Sequence, residues 1–158
     1  MTAPVPIASG MRLTPARLND PAWTTYPVQW TAATTSPTLG NGVLTGEYRY
    51  LDAETIFVKI RLNVGSSTNV GVGQYRFSLP VPAVAGGPDP ALDGVVLHGG
   101  GLYRVVGWAN TVSASASFLS MYRGNINAQE NLAAWTNTGP VALASGHTFS
   151  LSGWYFVA

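Results

Sequence analysis

The chain contains no cysteine, so neither disulfides nor thiolate metal sites hold its fold. Charge is nearly as scarce. Asp, Glu, Lys and Arg make up 9% of 158 residues, and Lys59 is the only lysine, where a typical soluble domain carries about a quarter. With a net charge of +1 and the arginines scattered, there is no electrostatic footprint for DNA or RNA. No apolar run approaches the roughly 20 residues of a membrane-spanning helix. The first ten residues have neither a basic stretch nor an apolar core, so they do not read as a secretory signal. No Asn-x-Ser/Thr sequon is present. Because 46% of the residues are hydrophobic, few charges guard the surface. Part of it is expected to be covered by copies of the chain or by a larger assembly.

What the chain has instead is glycine (18), proline (11) and strict alternation. Ile56, Val58, Ile60, Leu62 and Val64 alternate with Phe57, Lys59, Arg61 and Asn63. A period of two describes a strand buried on one face, whereas a helix would return its face every three or four residues. A strand over 46–51 precedes it, and the Gly-, Ser- and Asn-rich stretch 65–73 leads to another over 74–79, closed by Pro80. Further strands are expected over 28–33, 94–98, 101–110, 112–122 and 147–157. A proline-rich loop is expected over 81–90, and a turn of helix near Glu130–Trp135. Seven to nine short strands without a convincing helix predict an all-β, jelly-roll-like antiparallel β-sandwich.

Residues 1–27 read differently, as Pro4, Pro6, Pro15, Pro21 and Pro27 interrupt every element. They are expected to form an extended N-terminal arm with one helical turn over 14–19, capped by Thr14. The sandwich then occupies 28–158. Met11, Leu13, Leu18 and Trp23 are apolar enough to need covering, which marks the segment as a docking arm.

No constellation carries catalytic chemistry. His98-Gly99-Gly100-Gly101 looks like an oxyanion loop but lacks the G-x-S-x-G elbow that gives such a loop meaning. The glycines at 40, 42 and 46 precede a strand and lack a P-loop lysine. His98 and His147 lie far apart in sequence with no acid at ligand spacing, so no metal site and no cofactor are expected. The acids offer no evident pair for glycoside hydrolysis, though a small polysaccharide hydrolase stays open as an alternative. Of the aromatics, most belong in a core. Trp135 stands out in a polar stretch, and with Tyr122 and Arg123 it is the candidate contact for a host-surface glycan, a ring face flanked by hydrogen-bonding groups.

Several segments carry a resemblance. Trp30-Thr31-Ala32, Pro37, Gly40-Asn41-Gly42, Gly46-x-Tyr48, the alternating strand at 56–64 and Tyr75-x-Phe77-Ser78-Leu79-Pro80 resemble a β-rich domain of tail-associated and other virion structural proteins of actinobacterial phages. The leader over 7–19 and the closing Leu151-Ser152-Gly153-Trp154-Tyr155 are similar to the same proteins. The resemblance implies a non-enzymatic virion protein, docked by its arm on other capsid or tail proteins. It also implies a homotrimer that displays its sandwich as a head decoration or a tail-tip knob. A receptor- or glycan-binding tail protein is the alternative within that class.

Overall fold

The computed structural model describes residues 22–124 and 131–157. Among them there is no helix, and ten strands run in chain order. They are β1 (Thr24–Thr25), β2 (Trp30–Ala32), β3 (Val43–Tyr50), β4 (Thr55–Asn63), β5 (Tyr75–Ala83), β6 (Ala91–His98), β7 (Gly101–Trp108), β8 (Ala116–Gly124), β9 (Leu132–Ala134) and β10 (Thr148–Phe156). All pairings are antiparallel, in the order β1-β3-β4-β10-β6-β7-β8-β5-β2, with β9 beside β8.

The alternating stretch at 56–64 becomes β4, which lies between β3 and β10. Its even-numbered residues Ile56, Val58, Ile60 and Leu62 are buried while Lys59 and Arg61 are exposed. Across from them β10 buries Phe149, Leu151 and Tyr155. Strands β6, β7, β8 and β5 complete the core with Leu92, Val96, Val105, Leu119, Met121, Tyr75 and Phe77.

The sheet is curled rather than flat. Three strands separate β10 from β5 in the sheet order, a lateral distance of about 19 Å in a flat sheet. Yet the rings of Phe77 and Phe149 have centroids 6.0 Å apart. The Tyr155 hydroxyl donates to the Val81 carbonyl at 2.6 Å, and Val84 N–H donates to Phe156 O at 3.0 Å. The two halves of one continuous sheet thus face each other over a shared core, as a sandwich does.

The segment from Thr24 to Ala32 laces the two ends of that sheet together. Its first part pairs with β3 and its last part with β5. Between them Tyr26 N–H donates to Gly46 O, and Ser78 N–H donates to Gln29 O, each at 3.0 Å. Gly46 is buried under the Tyr26 ring and Val28. A Cβ there would collide with both side chains, so glycine is what lets the strap close down on β3.

Three expectations change in detail. The expected arm, 1–27, includes residues that join the fold: β1 and Tyr26 are bonded to β3, while 1–21 and the helical turn at 14–19 lie outside the described residues. The strand at 74–79 does not end at Pro80. It continues through Pro82 to Ala83, because its pairing with β8 shifts register between Ser78 and Ala83, where a missing N–H breaks no ladder bond. The helical turn expected near Glu130–Trp135 is instead the short strand β9 on the edge of β8.

Candidate functional site

Outward-facing residues align in rows across neighbouring strands. One row runs Glu47, Lys59, Ser152, Asp93, Val106, and the next runs Thr45, Arg61, Ser150, Val95, Arg104. Because β10 contributes only Ser150 and Ser152 to these two rows, between the longer side chains of β4 and β6, the rows sag in the middle. The result is a trough of about 420 Å³ floored by Ser150 and Ser152 and lined by Thr45, Glu47, Lys59, Arg61, Asp93 and Val95. Two further hollows adjoin it, and Asp93 lines all three. The hollow toward the end of β10 is walled by Trp154, Phe156, Pro88 and Pro90.

In a chain with so little charge, this face holds four cations: Arg49, Lys59, Arg61 and Arg104. Lys59 pairs with Glu47 at 3.7 Å, and Arg104 with Asp93 at 2.8 Å. Both pairs are solvated, so each contributes about 1 kcal/mol or less to stability. Arg61 forms no ion pair among the described residues. Trp154 is 55% exposed, with its ring edge-on to Phe156. The face therefore offers a flat apolar ring, serine and threonine hydroxyls, paired charges and one free guanidinium.

The expected glycan contact does not assemble. Trp135 is fully buried, 5.2 Å from Phe149 and covered edge-on by Tyr103 at 6.1 Å. It belongs to the core, because β9 delivers it inward beside Met121 and Tyr75: its N–H donates to Met121 O, and Tyr75 N–H donates to its carbonyl. Tyr122 and Arg123 are consecutive on β8 and so point to opposite faces. Tyr122 meets Trp108 edge-on at 6.0 Å on the outer face, and Arg123 turns half-buried toward Gly124 O. Of the docking residues, Met11, Leu13 and Leu18 lie outside the described residues. Trp23 covers β4, its ring 5.9 Å from Phe57 and 3.3 Å from the Lys59 ammonium, a cation–π contact of about 0.5–1 kcal/mol.

Two features were not anticipated from the sequence. Trp154 was read only as one apolar residue of the last strand, and its place in the hollow beside the trough depends on the pairing of β10 with β6. His98 and His147, 49 positions apart, bring their rings to a centroid distance of 4.1 Å. No cluster of three or more metal-ligating side chains exists among the described residues. Asp52 and Glu54 sit in the β3–β4 turn, where the Asp52 carboxylate accepts from Glu54 N–H at 2.9 Å. That backbone bond, with help from Thr55, holds the Asp52 carboxyl below its usual range.

No family model matches the chain, and no solved structure matches it. Over 102 residues it is 30% identical to the Mu-like prophage FluMu defective tail fiber protein of Haemophilus influenzae. The match takes in 65% of this chain and 16% of that protein. The chain is thus similar to part of a phage tail structural protein. That similarity reaches the phage-tail class and not the actinobacterial source that the resemblance implied.

Proposed function

We propose that this chain is a non-enzymatic structural domain of a phage tail that presents the outer-face trough to glycans on the host surface. The single observation that carries the first part is the similarity to the prophage tail fiber protein. An all-β body with no metal-ligating cluster among its described residues suits that role. A decoration of the head remains the other location for such a domain, and nothing in the trough favours it.

The trough supports the second part. In the hollow beside it Trp154 supplies a face for the C–H side of a sugar ring, and within the trough Ser150, Ser152 and Thr45 supply hydroxyl partners. Arg61 supplies a fork for a carboxylate or phosphate substituent. The hydrolase alternative loses ground here. Glu47 and Asp93 are the trough's carboxylates, and Lys59 and Ser152 stand between them in the row. Three strand spacings put their backbones about 14 Å apart, and each carboxylate is engaged by a cation, Glu47 by Lys59 and Asp93 by Arg104, rather than paired with the other at the roughly 5–9.5 Å that either glycosidase geometry needs.

Threefold self-association belongs to the same proposal. Val95, Leu97 and Leu102 form an exposed apolar patch at the far end of the β6–β7 face, with Leu102 68% exposed. A second copy is the natural cover in a chain so poor in charge. Residues 1–21 are proposed to dock the domain on the particle.

The test is competition. Purified full-length protein is expected to block adsorption of the phage to its host, and Trp154→Ala and Arg61→Ala proteins are expected to need at least about tenfold more protein, a loss near 1.4 kcal/mol. Blocking by both variants at wild-type concentration would remove the trough from the proposal. Light scattering that shows a monomer at micromolar concentration would remove the trimer.

A further inference from the structure

The two histidines of the chain meet at one end of the sandwich, away from the trough. His98 ends β6 and begins the tip Gly99-Gly100, which turns into β7. His147 stands immediately before β10 and is buried. Its Nδ1 accepts a hydrogen bond from Ala144 N–H at 3.0 Å. The backbone N–H of His147 donates to Ala144 O at 3.1 Å, and its backbone carbonyl accepts from Val64 N–H at 2.9 Å. The imidazole is therefore the clasp of a tight turn over 144–147, in which Gly146 takes a φ of +85°.

That arrangement works only with a neutral ring. An imidazolium carries a proton on both nitrogens and cannot accept, so protonating His147 sets its Nδ1–H against the Ala144 N–H. The His98 ring, in contact with it, disfavours the charge on His147 further. The groups packed around the pair do nothing to offset this. β7 presents the Tyr103 phenol, edge-on to His98 at 6.2 Å, and the end of β4 presents the Val64 backbone. Among the described residues neither histidine has an ion-pair partner.

We propose that His98 and His147 form an acid-sensitive latch, which clasps the β6–β7 tip to the start of β10 at neutral pH and releases it on acidification. Burial, and then the nearby His98, hold the His147 imidazole below its ordinary range. The sign follows: below about pH 6.5 the unfolded chain binds a proton that the closed latch excludes, so closure loses stability as pH falls. Release moves Tyr103, the ring that covers Trp135, and so uncovers the end of the core.

Hydrogen exchange on the full chain at pH 7.0 and 5.0, corrected for the intrinsic pH dependence of exchange, tests the latch. Peptides over 98–103 and 144–148 are expected to exchange faster at pH 5.0 than at pH 7.0, in the direction that excluding the proton from the closed latch requires, while 56–62 is unchanged. His147→Asn keeps an acceptor near the Nδ1 position without a titrating proton and is expected to abolish the acceleration. His98→Gln is expected to reduce it. If His147→Asn fails to fold, His98→Gln decides, since that half-buried side chain makes no hydrogen bond among the described residues. No acceleration in the wild type, or the same acceleration in the variants, overturns the proposal.

Discussion

The hydroxyl of Tyr26 donates to the backbone carbonyl of Ser78 at 3.1 Å, joining residues from opposite ends of the sheet. Tyr26 follows β1 on the β3 side, and Ser78 lies in β5. The same Ser78 uses its own hydroxyl to accept from Gln29 N–H at 2.8 Å. Desolvation pushes the Tyr26 phenol well above its usual range, as expected for a ring wedged between strap and sheet. Tyr26→Phe is expected to lower stability by about 1 kcal/mol. Gly46→Ala, which sets a Cβ against the same ring and Val28, is expected to cost more, about 1–3 kcal/mol. Urea denaturation curves check the order; a Gly46→Ala protein as stable as wild type would mean that the strap does not press on β3.

Two buried tyrosines are expected to respond in opposite ways to loss of the hydroxyl. Tyr155 donates to Val81 O at 2.6 Å, so Tyr155→Phe should cost about 1 kcal/mol. The Tyr75 hydroxyl is buried with no partner among the described residues, and an unsatisfied buried polar group costs about 1–3 kcal/mol. Tyr75→Phe should therefore be neutral or stabilising. Thermal melts of both variants decide this, and a Tyr75→Phe protein that melts early would contradict it.

Trp135 and Trp154 separate core from surface. Trp135→Ala should cost about 3–5 kcal/mol, as a fully buried tryptophan does. Trp154→Ala should shift stability by no more than about 0.5 kcal/mol, as an exposed substitution does. Equal losses in a melting experiment would mean that Trp154 is covered, most directly by another subunit.

The same contrast holds on β4. Ile60→Asp puts an unpaired carboxylate into the core, which costs several kcal/mol and approaches the whole stability of many domains. Lys59→Asp, one residue away, loses the Glu47 pair and the Trp23 contact at a solvated site and should cost about 1–2 kcal/mol. Circular dichroism and denaturation of the two proteins are expected to show one unfolded and one folded.

The strands were legible where one face is core and the other is wet. The 56–64 alternation and the 147–157 run survive as β4 and β10, because binary pattern alone specifies a half-buried strand. The site was not legible, since it depends on which strands become neighbours. Ser150 and Ser152 look like plain surface residues until β4 and β6 flank them. Trp135 misled because its ring packs on Phe149 and Tyr103, which lie far from it in sequence. The His98–His147 contact arises in the same way, from strands paired across 49 positions of chain. The β1 strap was hidden by its prolines, which suggest an arm although Tyr26 closes the sheet.

The central claim is that the chain is part of a phage tail. Immunoelectron microscopy of purified particles from cells that carry the gene, with antibody raised against the folded protein, tests it most directly. Gold label confined to the tail is the result the account requires. Label on the head, or purified particles free of the protein altogether, would contradict it.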